Sequence, residues 1–156
     1  MGRATGPHVS TIICTVLTAQ LMNKVFLDTS YAVALSAATD ENHQRALEIA
    51  EELETSGATF VTTRAILLEI GNALAKVRYR EAAVKLLNAL EHDPNVEIIP
   101  ASDELYRRAF EIYQDRLDKE WGLIDCMSFV VMKDQQVTQA LTADHHFRQA
   151  GFETLL

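Results

Sequence analysis

Positive charge is scarce in this sequence. It holds 14 Lys and Arg against 22 Asp and Glu, a formal net charge of −8. Arg3 is the single formal charge in residues 1–21, so the negative balance belongs to the chain after it. That excludes a protein held to nucleic acid by bulk positive charge. It leaves a chain that gathers carboxylates around a cation, or one that meets a basic partner. Cysteine is nearly missing: Cys14 and Cys126 make neither a metal-ligand spacing nor a disulfide framework. A reducing cytoplasm is then the default compartment. Long apolar runs are missing too. Residues 12–19 are too short and too Thr-rich to span a membrane. They also lack the apolar stretch and cleavage site of a signal peptide. No internal repeat and no low-complexity linker interrupts the chain.

What is present fits one globular domain of 156 residues, 48% hydrophobic and 23% charged. Residues 1–21 show little helical or strand logic and read as a disordered extension before Met22. From there strands and helices alternate. Strand 24–27 leads to helices over 31–38 and 41–55, the second with Ala46, Leu47, Ile49, Ala50 and Leu53 on one face and Gly57 as its stop. Strand 58–62 leads to a helix over 63–79, continued over 80–91. Asp93-Pro94-Asn95 is a turn before strand 96–99. Helices over 103–117 and 123–135, strand 137–141, helix 144–150 and strand 152–156 complete the chain. Strands joined by helices imply an α/β fold with a parallel sheet and right-handed crossovers.

Four acidic residues occupy special places in this pattern. Asp28 ends the first apolar strand and is followed by Thr29 and Ser30. In parallel sheets ligands bind beyond the carboxyl ends of strands, although Asp is also a good helix cap there. Glu69 lies at the edge of the stripe Ile66, Leu67, Ile70, Ala73, Leu74 and Val77, where a half-desolvated carboxylate needs compensation. The alternative is an ion pair with Lys76 or Arg64. Asp125 opens an apolar helix among Ile124, Cys126 and Met127, in a turn whose dipole favours an acid. Asp144 follows strand 137–141 and can cap the short helix after it. All four can meet on one lip. Carboxylates so gathered raise one another's pKa values, and a hard divalent cation resolves the repulsion. Such a site suits hydrolysis of a phosphodiester, with room for two metals.

The stretches Phe26-Leu27-Asp28-Thr29-Ser30, Leu68-Glu69-Ile70-Gly71-Asn72-Ala73-Leu74, Leu123-Ile124-Asp125-Cys126-Met127-Ser128-Phe129 and Leu141-Thr142-Ala143-Asp144-His145-His146-Phe147 resemble, in order, the four motifs of the PIN domain, most closely in its VapC-type toxin branch. The likeness covers residues 22–156. It implies a three-layer α/β/α fold with a central, mainly parallel sheet. It implies an endoribonuclease using Mg²⁺ or Mn²⁺, the toxin of a toxin–antitoxin pair, inhibited by a cognate antitoxin and usually a homodimer. The family's acidic quartet carries onto Asp28, Glu69, Asp125 and Asp144 as catalytic and metal-binding residues. Thr29, Ser30 and Asn72 carry over as polar support.

Two other readings stand beside this one. A haloacid-dehalogenase-like phosphohydrolase also ends its first strand in an aspartate, but its second Asp two residues on is Ser30 here. A non-catalytic module on the same fold is compatible with the pattern. His145 and His146 read as surface residues, since two-metal hydrolysis needs no imidazole base. Trp121 reads as a packing residue before a base-stacking one. Arg64 is the best placed of the basic residues to meet a phosphate, and Asp118 is a poor candidate for a metal ligand.

Overall fold

The computed structural model describes residues 24–156; the proposed N-terminal extension lies outside them. Its elements are β1 (Lys24–Leu27), α1 (Thr29–Ser36), α2 (His43–Ser56), β2 (Thr59–Thr63), α3 (Arg64–Ala73), α4 (Val77–His92), β3 (Val96–Ile99), α5 (Asp103–Asp115), α6 (Leu123–Asp134), β4 (Gln139–Leu141), α7 (His145–Gln149) and β5 (Glu153–Thr154). The five strands form one parallel sheet in the order β3-β2-β1-β4-β5. This is the expected α/β sandwich, with helices on both faces.

The strand order decides where a ligand goes. From β1 the chain steps outward to β2 and β3, then returns across the sheet to β4 and on to β5. Right-handed crossovers in opposite directions put α1 to α4 on one face and α5 to α7 on the other. Contacts follow that division: α1 packs on α2, α3 and α4, and α6 on α5 and α7. The direction reverses between β1 and β4, where Phe26 pairs with Ala140 and Leu27 with Leu141. Helices diverge to opposite faces at such a switch point and leave a crevice at the strands' carboxyl ends. Asp28 follows β1 and Asp144 follows β4 at that crevice.

The core explains the rigidity of this edge. Val25 and Phe26 of β1 are buried, as are Ala140 and Leu141 of β4. Phe147 on α7 is fully buried and packs on Phe26 at 5.9 Å and on Phe129 at 5.2 Å between ring centroids. Helix α6 is buried from Cys126 to Met132, all round its circumference, so it is a central helix rather than an amphipathic one. Gly57 closes α2 at φ 66°, a left-handed conformation that glycine adopts without a Cβ clash.

Several expectations need correction. The helix expected over residues 63–79 ends at Ala73, and α4 starts afresh at Val77. In consequence the apolar stripe stops short: Ala73 is exposed and Val77 is 92% exposed, while Leu74 is buried as the cap residue. Leu47 lies outward at 39% exposure, although Ala46 and Ile49 of the same face are buried. Trp121 is buried, donates its indole N–H to Gln149 Oε1 at 3.1 Å and meets Phe129 edge-on. It packs, as expected.

Candidate active site

Asp28 is buried at 6% exposure. It caps α1 and is held by more than the cap. Ser30 N–H at 3.3 Å, Ser30 Oγ–H at 2.9 Å and Thr142 Oγ–H at 2.7 Å all donate to Oδ2. Thr142 is fully buried beyond β4 and accepts the Asp144 amide at 2.9 Å, and Ser30 Oγ accepts the Ala143 amide at 3.0 Å. These bonds tie the end of β1 to the end of β4. Cap and site are therefore one arrangement at Asp28.

Glu69 rises from α3, which packs against α1. Its partner is neither Lys76 nor Arg64 but Thr29, whose hydroxyl donates to Oε2. Arg64 instead forms a two-pronged ion pair with Glu91. Burial pushes the Glu69 pKa up, and the charges of Asp28, Asp125 and Asp144 push it the same way, partly offset by the Thr29 bond. Through Thr29, Glu69 is thus linked to the residue after Asp28.

Asp125 opens α6. Its Oδ2 accepts the Gly122 amide at 2.8 Å and faces Nδ1 of His146 at 3.1 Å. Its pKa is raised, chiefly by burial and then by Asp144, against the lowering effect of the Gly122 bond and of His146. Asp144 caps α7 through Oδ1, which accepts the His146 amide at 2.8 Å. Nδ1 of His146 lies 3.4 Å from the same oxygen.

One pattern runs through the quartet. Among the described residues, every recorded polar contact of Asp28 and Asp125 falls on Oδ2, of Glu69 on Oε2 and of Asp144 on Oδ1. Each carboxylate is anchored by one oxygen, and its second oxygen accepts no hydrogen bond from the described residues. No Lys or Arg pairs with any of the four among the described residues. Partly buried negative charge with no Lys or Arg partner, presenting one oxygen per group, fits a hard divalent cation that keeps water in its shell. The group is wider than a single closed cage. The trio of ligand-type side chains found within 4.8 Å of one another among the described residues is Asp144, His145 and His146, not the acids alone.

The supporting residues divide. The Thr29 and Ser30 hydroxyls turn toward Glu69 and Asp28. Asn72 lies one turn beyond Glu69 and is exposed. Asp118 is exposed and paired with Arg116, which holds its carboxyl down at about 2. Thr142 and His146 are the residues that sequence reasoning passed over. Thr142 is a small hydroxyl inside a strand-end motif, and only its register against β1 reveals its partner. His146 looks like a surface residue until α7 turns it toward Asp125.

A parallel sheet whose switch point gathers acids from four separated segments defines a class, and the family comparison agrees. The PIN domain pattern matches residues 25–153, and the chain belongs to the PIN domain family. Among curated proteins it is similar to the 23S rRNA-specific endonuclease VapC20 of Mycobacterium tuberculosis, with 27% identity over 82% of this chain and 95% of the relative. The crystal structure of M. tuberculosis VapC20, described as a sarcin-ricin loop cleaving toxin, superposes with a TM-score of 0.72 at 27% identity, over 82% of this chain and 95% of that one. VapBC2 from Rickettsia felis, solved bound to a promoter DNA fragment, shares the fold with a TM-score of 0.55 at 15% identity, covering 84% of this chain and 96% of that chain. No helix among the described residues is long and apolar enough to cross a membrane.

Proposed function

We propose that this chain is the toxin of a type II toxin–antitoxin pair, an endoribonuclease that hydrolyses RNA phosphodiester bonds. The observation that carries the reading is the quartet of Asp28, Glu69, Asp125 and Asp144, each tethered through one oxygen, with no Lys or Arg paired to any of them among the described residues. Membership of the PIN family and the likeness to an RNA-cleaving VapC support it.

In this reading the four acids hold Mg²⁺ or Mn²⁺. The bound cation would supply Lewis acidity and charge neutralisation at the scissile phosphate. The chain's own contribution is positional. Thr142 and Ser30 fix Asp28, Thr29 fixes Glu69, and the Gly122 amide and His146 fix Asp125. Pre-set ligands lose little freedom on binding, which is where such sites gain affinity.

The partners are RNA, a cognate antitoxin and a second copy of the chain in a homodimer. An antitoxin Arg or Lys inserted among the acids would neutralise them in place of metal. Ribosomal RNA is the first substrate to try, because VapC20 is named for cleaving it. The deciding experiment uses protein purified free of antitoxin. The parent cuts RNA with Mg²⁺ or Mn²⁺, and Asp28→Asn keeps its fold and does not cut. Undiminished Mg²⁺-dependent cleavage by Asp28→Asn would overturn the assignment.

A further inference from the structure

The residues Asp144, His145 and His146 offer ligand atoms that all lie within 4.8 Å of one another. Their spacing has a particular meaning. Nδ1 of His145 lies 3.5 Å and Nδ1 of His146 lies 3.4 Å from Oδ1 of Asp144. A tetrahedral ion with bonds of about 2.1 Å separates its ligands by about 3.4 Å. The two imidazoles stand side by side, with centroids 4.4 Å apart. The His145 side chain is 60% exposed and His146 only 17%, so one ring is fixed in the wall and the other faces solvent. That asymmetry leaves an entry path.

We propose that Asp144, His145 and His146 bind a borderline divalent transition metal, with Zn²⁺ as its representative, at a site that shares Asp144 with the acidic quartet. Imidazole suits Zn²⁺ and the later first-row ions, whereas Mg²⁺ takes oxygen. The adjoining acids and the two histidines thus sort cations by chemistry. Nδ1 of His146 faces oxygens of both Asp125 and Asp144, at 3.1 and 3.4 Å, so the imidazole is already turned toward the acids. Water completes the coordination.

The consequence for activity rests on the nuclease reading. Zn²⁺ held here draws Asp144 away from the Mg²⁺ position, so Zn²⁺ antagonises cleavage. The antagonism is built from residues of α7 and its cap.

The test uses metal-free full-length protein and His145→Ala, whose exposed position leaves the core untouched. Zn²⁺ affinity is measured by competition with a chromogenic chelator, without RNA. The parent is expected to bind one equivalent, and His145→Ala to bind at least about tenfold more weakly, as loss of one ligand demands. The rise in Tm with Mg²⁺, followed in both proteins, reports the quartet separately. Equal Zn²⁺ affinity in parent and variant would place the ion on the carboxylates and overturn the proposal, as would absence of Zn²⁺ binding by the parent. Cleavage assays form a second arm: Zn²⁺ inhibits the parent, and His145→Ala resists. Zn²⁺ binding as described with cleavage unaffected overturns the antagonism. Zn²⁺ binding by a protein that cuts no RNA under any metal sinks the nuclease reading and leaves the site standing.

Discussion

Thr142 donates its hydroxyl to Asp28 across 114 residues of chain, at 2.7 Å and out of contact with water. The bond joins the two strands that flank the switch point, and it fixes the rotamer of the most buried acid of the quartet. Thr142→Val keeps the shape and removes the donor. It also strips the Asp144 amide of its acceptor. The expected cost is about 1–3 kcal/mol in stability and roughly 10- to 100-fold in metal affinity or cleavage. Urea denaturation and a Mn²⁺ titration measure the two separately. Loss of stability without loss of metal affinity would make Thr142 a purely architectural residue.

Acidity acts on Glu69 with a definite sign. Its pKa is raised in the fold by burial and by the neighbouring acids. A carboxyl raised in the folded state stabilises the fold below its unfolded value of about 4.3, and that contribution is lost as pH rises through the folded value. Metal-free parent should therefore gain stability relative to Glu69→Gln as pH falls from neutral toward about 4.3. Protons and Mg²⁺ compete for the same oxygens, so the Mg²⁺-dependent rise in Tm should shrink over that descent. Melting curves in chelator and in Mg²⁺ give both trends. A parent-minus-variant difference that ignores pH contradicts the electrostatics described here.

Phe147 couples the core to the site. It is fully buried against Phe26 and Phe129, and its helix carries His145 and His146 and is capped by Asp144. Phe147→Ala should cost about 3–5 kcal/mol. Phe147→Leu, which keeps most of the volume, should cost less and keep metal binding. Comparing Tm and Mn²⁺ affinity for the pair separates filling of the core from placement of α7.

Cys126 offers an internal reporter. It is fully buried beside Asp125, and burial lifts its thiol to about 11, with the Asp125 charge adding to the effect. A neutral buried thiol is a poor nucleophile. In a Cys14→Ser background alkylation at neutral pH should be slow, and should follow the opening of α6 rather than reagent access. Prompt labelling of the native protein would contradict the packing of this helix.

The four acids were legible because each breaks a pattern: a charge ending an apolar strand, at the edge of a stripe, inside an apolar turn, before a short helix. The strands around them were legible from apolar runs bounded by turn residues. The break at residues 74–76 was not. Residues 74–76 contain neither Pro nor Gly, Gly71 lies inside the helix rather than at its end, and Leu74 and Val77 continue the helical period. Tertiary packing ended α3 where periodicity did not, as packing often overrides local preference. Nor does helical spacing mark α6 as buried all round, since a stripe stands out only where the other side of the helix is polar. His146 and Thr142 escaped for a different reason. Their roles depend on which segment lies opposite, and one sequence carries no record of that.

The switch-point layout also bears on timing during synthesis. Asp28 and Glu69 leave the ribosome early, but their crevice lacks its far wall until β4, Thr142 and Asp144 have emerged and docked beside β1. A chain made from its amino end thus assembles this crevice only after both of its walls have emerged.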